Sequence, residues 1–159
     1  MVRRASSVQS LLNRLSQLVE DATSQYARLV LIVGQHGTGK SAVLREFAHR
    51  GGHPVFDLGA DLPQGIFEVP ARRRPVAASD RVGEQLRAND DVAFVDNIEI
   101  LFQPGLNLDP LKLLQDNARN RVIVATWPGT FDGRDLTFAE PGHPEFRLYP
   151  AAEVRILTL

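Results

Sequence analysis

The stretch that decides the fold runs from residue 29 to residue 50 and reads LVLIVGQHGTGKSAVLREFAHR. Residues 29–33 are apolar and rich in branched side chains, which is typical of a parallel β-strand covered on both faces. The next eight residues match the pattern G-x-x-x-x-G-K-[ST] in full, and a helical pattern follows that ends at Gly51 and Gly52. Strand, glycine-rich loop and helix in this order predict a phosphate-binding P-loop.

The composition of this loop suits a nucleoside triphosphate. Its glycines let consecutive backbone N–H groups approach phosphate oxygens, and the helix directs its positive N-terminal end at the same anion. Lys40 is predicted to reach the β- and γ-phosphates, and Ser41 to ligate Mg²⁺. We therefore predict that ATP or GTP, together with Mg²⁺, binds to Gly34, Gln35, His36, Gly37, Thr38, Gly39, Lys40 and Ser41.

An acidic residue follows a second apolar run. Residues 92–95 lead directly into Asp96, the pattern of a Walker B strand whose carboxylate faces the Mg²⁺ shell. Asp96 is therefore predicted to hold Mg²⁺ together with Ser41. Many P-loop ATPases place a glutamate directly after this aspartate, but here Asn97 stands in that position and Glu99 lies two residues farther on. Asn97 could hydrogen-bond a water without being a base, and Glu99 is either a residue that reaches the water or a solvated loop carboxylate. We therefore expect slow hydrolysis.

A threonine closes the fourth predicted strand. In P-loop folds that insert this strand between the P-loop strand and the Walker B strand, its polar end points at the γ-phosphate. Thr126 is therefore either a sensor-like residue or an ordinary strand-terminal threonine. The predicted catalytic group comprises Lys40, Asp96, Asn97, Glu99 and Thr126.

The remaining pattern indicates one domain over residues 1–159. An amphipathic helix is predicted over residues 1–24, and a hairpin-like excursion is predicted over the Pro- and Gly-rich residues 128–148. Ser79 or Asp80 can cap one helix and Asp109 another. The alternation of strands and helices predicts an α/β fold, a P-loop NTPase with a five-stranded, mainly parallel sheet and helices on both faces.

Composition limits the partners. Lys and Arg number 18 against 19 Asp and Glu, so the net charge of −1 gives no global field for nucleic acid. Residues 72–74 are three arginines, which we interpret as a solvated loop or a local contact to DNA phosphates. Cysteine is absent, and no apolar run reaches the length of a membrane span, so a soluble, cytoplasmic protein is expected.

Five segments together carry a more specific resemblance: GQHGTGKS at 34–41, VDNIEILF at 95–102, DPLKLLQ at 109–115, NRVIVATWPG at 120–129 and LTFAEPGHPEF at 136–146. With them the chain resembles the BrxF family, the small P-loop proteins of type 3 BREX bacteriophage-defence systems. The resemblance covers the chain from about residue 10 onward and is weakest over residues 60–78.

Membership in that family would imply a cytoplasmic bacterial protein that acts with a DNA methyltransferase, an alkaline-phosphatase-like protein, a helicase and a large ATPase. It implies nucleotide roles for residues 34–41 and Asp96, no established role for Asn97 or Glu99, and no defined reaction. The expected strand order, 5-1-4-3-2, is similar to that of the AAA+ class. Because the chain stops at Leu159, just after the fifth strand, the usual helical lid is expected to be missing.

Three functions are compatible with these patterns. The leading one is an ATP-binding, weakly hydrolysing switch subunit that docks to other defence components. A small-molecule kinase, with Asp57 and Asp61 near the acceptor, and a DNA-contacting accessory module are the alternatives. A homo-oligomer is possible, with trans arginines drawn from Arg119, Arg134 and Arg147.

Overall fold

The computed structural model describes residues 2–88, 91–139, 142–150 and 154–159. Met1, from the predicted N-terminal helix, and residues 140–141, from the predicted excursion, lie outside the described residues. The strands are β1 (Leu29–Gly34), β2 (Val55–Asp57), β3 (Val92–Asp96), β4 (Val122–Phe131), β5 (Asp135–Phe138), β6 (Arg147–Pro150) and β7 (Arg155–Thr158). The α-helices are α1 (Val2–Ala22), α2 (Lys40–Arg50), α3 (Leu58–Asp61), α4 (Pro63–Ile66), α5 (Arg74–Arg87) and α6 (Pro110–Asn117).

The described strands form one seven-stranded sheet. Its parallel part has the order β2-β3-β4-β1-β7, and β5 and β6 extend β4 as an antiparallel hairpin. Counted along the chain, the five parallel strands therefore have the order 5-1-4-3-2, as predicted. This order places the carboxyl ends of β1, β4 and β3 side by side, which brings the P-loop next to Asp96.

Both faces of the parallel sheet are covered. Leu29, Leu31 and Val33 face a core shared with α5, α6 and the 3₁₀ turn Ile98–Phe102, whereas Val30 and Ile32 face α1 and α2. Alternate side chains of a strand point to opposite faces, so both sets must be apolar when helices cover both sides. This requirement explains the uninterrupted apolar run in β1. Among the described residues, no helix is long and apolar enough to cross a bilayer.

Helix α5 begins earlier than the sequence predicted. It starts at Arg74 rather than after Ser79 or Asp80, with Pro75 in its first turn and a 3₁₀ turn, Ala71–Arg73, before it. Proline suits this position because its fixed φ is already helical. Backbone N–H groups in the first turn have no acceptor within the helix, so the missing N–H of proline removes no hydrogen bond. The expectation of a capping residue at 79 or 80 was therefore wrong.

The arginine-rich stretch is also not a uniform solvated loop. Arg74 is half-buried; its Nε donates to the Val69 carbonyl at 3.0 Å, a terminal nitrogen donates to the Phe67 carbonyl at 3.1 Å, and its guanidinium lies over the Phe67 ring. Arg72 and Arg73 are exposed. Arg74 thus binds the loop before α5 instead of remaining available to a partner.

Strand β4 does not end at Thr126. It continues to Phe131, and Gly129 and Thr130 pair with Phe138 and Thr137 of β5. The indole Nε1 of Trp127 donates to the Thr137 carbonyl at 2.9 Å, and a β-carbon at Gly129 would overlap that same carbonyl group. Glycine at this position therefore lets β5 approach β4, and the strand extends beyond the parallel sheet.

Candidate nucleotide-binding site

The P-loop connects β1 to α2 at the carboxyl edge of the sheet. Gly37 and Gly39 have φ values of 84° and 90°, a left-handed backbone that favours glycine. A β-carbon at either position would contact no protein atom within 4 Å, so the loop surface there is open towards an anion. The Lys40 Nζ and the Thr38 Oγ1 donate to the Gln35 carbonyl at 3.1 and 2.8 Å.

The Asp96 carboxylate is the buried acidic centre of the site. It is 1% exposed, and its Oδ1 accepts hydrogen bonds from Thr126 Oγ1 at 2.6 Å, Asn97 N at 2.9 Å and Ser41 Oγ at 3.0 Å. Charge-assisted hydrogen bonds from three donors fix the orientation of a carboxylate. Half-buried Ser41 and buried Asp96 and Thr126, from three separate elements, therefore form one hydrogen-bonded cluster.

The second carboxylate oxygen of Asp96 has different surroundings. In the described part of the chain, Oδ2 is buried and accepts no hydrogen bond, and a terminal nitrogen of Arg45 lies 3.6 Å from it. A carboxylate with one buried oxygen that accepts no hydrogen bond, and with a serine hydroxyl on its other oxygen, fits a hydrated Mg²⁺. This ion takes one or two protein oxygens and completes its shell with water and phosphate. Among the described residues, no group of three or more His, Asp or Glu side chains could hold a metal ion, and a hydrated Mg²⁺ does not require one.

A cavity of about 250 Å³ joins the P-loop to this cluster. We call it the phosphate cavity. Three of the predicted residues, Gly34, Gln35 and Thr38, do not line this cavity. Ala42 lines it but was not predicted, although Ala42 directly follows Ser41. Its lining consists of His36, Gly37, Gly39, Lys40, Ser41, Ala42, Asp96, Asn97, Glu99 and Thr126.

The position of Glu99 follows from the turn after β3. Asn97 adopts a left-handed conformation with φ 55° and ψ 55°, which ends the strand and begins the 3₁₀ turn Ile98–Phe102. In this turn Ile98 and Ile100 are buried in the core, while Glu99 is exposed and lines the phosphate cavity. The structure thus brings both Asn97 and Glu99 to the cavity wall.

A second cavity lies beside the first. It has a volume of about 340 Å³ and is formed between the P-loop and the β4–β5 extension; we call it the hairpin cleft. Its floor is largely apolar, and Phe138 in that floor stacks on Phe102 with ring centroids 3.5 Å apart. This cleft was not expected from the sequence, because Thr126 was predicted to close β4. The lining residues are Gln35, His36, Glu99, Pro128, Gly129, Thr130, Phe138 and Ala139.

The candidate trans arginines do not line either cavity. Arg119 pairs with Asp116 at 3.5 Å and lies over the Tyr26 ring, and Arg147 donates to the Leu108 carbonyl at 2.8 Å and lies over the Phe102 ring. Arg134 is exposed in the turn between β4 and β5.

Comparison with known proteins identifies the class of this site. The sequence profile described as "AAA ATPase domain" matches residues 9–125, which include the P-loop and Asp96. The solved structure "Structure of C. elegans PCH-2" aligns with a TM-score of 0.49 and 16% identity over 79% of this chain, and the chain spans 39% of the length of that protein. No curated protein sequence matches the chain significantly.

Proposed function

The chain belongs to the AAA ATPase domain family, and we propose that within this family it is a switch subunit that binds Mg-ATP, hydrolyses it slowly and docks to partners according to its nucleotide state. Members of this family use nucleotide and Mg²⁺. Lys40 would contact the phosphates, and Ser41 and Asp96 would hold the ion, which neutralises phosphate charge when bound.

Slow turnover is supported by the side chain that follows Asp96. An amide at Asn97 can donate to or accept from water, but it cannot take a proton from it. Glu99 is the carboxylate next to Asp96 along the cavity wall, and it is exposed rather than buried against the phosphate cavity. Without a base held against the phosphates, bound nucleotide would remain in the site for a long time before it is hydrolysed.

A switch role is supported by the shared wall of the two cavities. His36 and Glu99 line both the phosphate cavity and the hairpin cleft. A ligand that displaces either side chain in one cavity would change the shape of the other. The two sites would then be coupled for any second ligand whose affinity differs between the two shapes. This shared wall is the observation that carries the proposal.

The biological setting rests on the sequence resemblance to the BrxF family. We propose a bacterial, cytoplasmic protein of an anti-phage BREX system whose partners are the large ATPase, the methyltransferase, the helicase and the phosphatase-like protein. The kinase alternative is not favoured, because the Asp57 carboxylate accepts the Ala60 N–H at 3.1 Å and caps α3. DNA contact through residues 72–74 is weakened by the internal bonds of Arg74.

Nucleotide titration tests the binding function. Wild type should bind Mg-ATP or Mg-GTP saturably, and Lys40→Ala should lose at least tenfold in affinity because one charged phosphate contact contributes about 1.5–3 kcal/mol. Lys112→Ala is the matched control, since Lys112 is exposed on α6, where it pairs with Asp116 at 2.8 Å. Equal affinities for wild type and Lys40→Ala would exclude the P-loop as the binding site.

Turnover and docking need separate measurements. Phosphate release should be slow in wild type and lower still in Asp96→Ala and Glu99→Gln; turnover that survives both substitutions contradicts these roles. Pull-down of each proposed partner should depend on Mg-ATP, and this dependence should disappear in Lys40→Ala. Equal capture with and without nucleotide would refute the switch.

A further inference from the structure

Two side chains of α2 contact different oxygens of the same carboxylate. Ser41 and Arg45 are four residues apart and therefore lie on one face of the helix. Ser41 Oγ donates to Oδ1 of Asp96 at 3.0 Å, and the Arg45 guanidinium lies 3.6 Å from Oδ2. Helix α2 thus presents both the hydroxyl of the P-loop motif and a cation to the Walker B aspartate.

Arg45 approaches this carboxylate from outside the phosphate cavity. Its side chain is 63% exposed, whereas that of Asp96 is 2% exposed, and Arg45 is not among the residues that line the cavity. In the described part of the chain, Arg45 forms an ion pair with Asp96. The guanidinium therefore places a positive charge next to the one buried oxygen of Asp96 that accepts no hydrogen bond.

We propose that Arg45 sets the Mg²⁺ dependence of nucleotide binding, an inference that rests on the nucleotide-binding function proposed above. Its charge partly neutralises the Asp96 carboxylate, which together with Ser41 would hold Mg²⁺, and two cations beside one carboxylate repel each other. Arg45 therefore reduces the gain in nucleotide affinity that Mg²⁺ provides. The same charge attracts the triphosphate, so nucleotide without Mg²⁺ binds more tightly than it would in the absence of Arg45.

Arg45 could alternatively orient Asp96 for the ion. In that role it would increase, and not reduce, the gain in nucleotide affinity that Mg²⁺ provides. The geometry argues against it, because three donors already fix Oδ1 and the distance of 3.6 Å is too long for a hydrogen bond. A guanidinium that makes no hydrogen bond to the carboxylate acts on it through its charge and does not fix its orientation. Its substitution should therefore change cation preference and leave the position of Asp96 unaltered.

The test measures the dissociation constant of a fluorescent ATP analogue in EDTA and in saturating Mg²⁺. The dissociation constant in EDTA is divided by that in Mg²⁺, so a larger ratio means a larger gain in affinity from Mg²⁺. In Arg45→Gln this ratio should rise about two- to fivefold above wild type, the range expected for the charge of an exposed ion pair. Arg45→Lys keeps the charge and should behave as wild type. Arg50→Gln is the matched control on the same helix, because Arg50 pairs with Glu46 at 2.9 Å and should leave the ratio unchanged.

Each outcome decides the proposal. An unchanged or reduced ratio in Arg45→Gln, while wild type still binds the analogue, overturns the role of Arg45 and leaves the proposed function intact. A wild type that binds the analogue in neither buffer overturns the proposed function and this inference with it. Thermal unfolding of each variant confirms that the ratios compare folded proteins; the exposed position of Arg45 makes Arg45→Gln compatible with folding.

Discussion

Thr126→Val separates a structural role of this threonine from a sensor role. The Thr126 hydroxyl is buried and donates to Asp96 Oδ1 at 2.6 Å, a length typical of an O–H donor on a charged acceptor. Valine keeps the shape of the side chain and removes the donor, so little cavity is created. Asp96 then retains Ser41 and Asn97 N as donors and loses the shortest of its three hydrogen bonds.

The expected loss follows from the charge on the acceptor. A hydrogen bond to a charged group contributes about 1.5–3 kcal/mol to the free energy of unfolding. For a domain of this size, 1 kcal/mol corresponds to about 2–4 °C in Tm, so Tm should fall by about 3–12 °C. The measurement is thermal and urea unfolding of the nucleotide-free protein, followed by circular dichroism and by the fluorescence of the single tryptophan, Trp127, which is fully buried.

Thr130→Val is the matched control on the same strand. Thr130 is exposed and its hydroxyl bonds to that of Thr137 at 2.6 Å, so water can replace this contact and stability should change by less than about 0.5 kcal/mol. Should Thr126→Val unfold at the wild-type temperature in the absence of nucleotide, the hydroxyl does not support Asp96 and the reasoning fails. A loss seen only in the presence of Mg-ATP would instead assign Thr126 a sensor role.

Three further substitutions test other parts of the structure. Gly34→Ala should lower the free energy of unfolding by about 1–3 kcal/mol and weaken nucleotide binding, because the added β-carbon would overlap the Thr38 hydroxyl. A wild-type Tm and a wild-type nucleotide affinity would show that Thr38 moves aside freely. Asp109→Ala removes the acceptor of the Lys112 N–H at the start of α6 and should cost about 0.5–2 kcal/mol in urea unfolding, whereas Asp109→Asn should retain most of that stability. Phe102→Ala should lower the free energy of unfolding by about 3–5 kcal/mol, because the ring is 1% exposed and packs on Phe138 and Trp127. Thermal unfolding measures this loss, and a value below about 1 kcal/mol would mean that the neighbouring rings fill the space.

The sequence by itself determined the elements whose signals are local. The P-loop depends on glycine conformations and on the lysine and serine that follow, the apolar runs mark buried strands, and Asp109 before Pro110 marks a helix start. These features lie within a few residues of one another along the chain. They predicted the parallel sheet, the position of Asp96 at a strand end and the start of α6, and the structure has all three. The strand order, which is also observed, was expected from the similarity to the AAA+ class and not from local signals.

Only the tertiary structure decided which distant groups meet. Arg74 binds carbonyls of the loop that precedes α5, and β4 continues to Phe131 through its pairing with β5. The turn signals near Pro128 do not mark that pairing, so the hairpin cleft was not predictable from them. The contact of Arg45 with Asp96 joins residues 51 positions apart (96 − 45) and leaves no mark in either local pattern. Local backbone preferences are encoded by neighbouring residues, whereas the partners of long polar side chains are selected by the packing of whole elements. For this reason the sequence predicts the nucleotide site, whereas the position of the Arg45 charge beside Asp96 is known only from the tertiary structure.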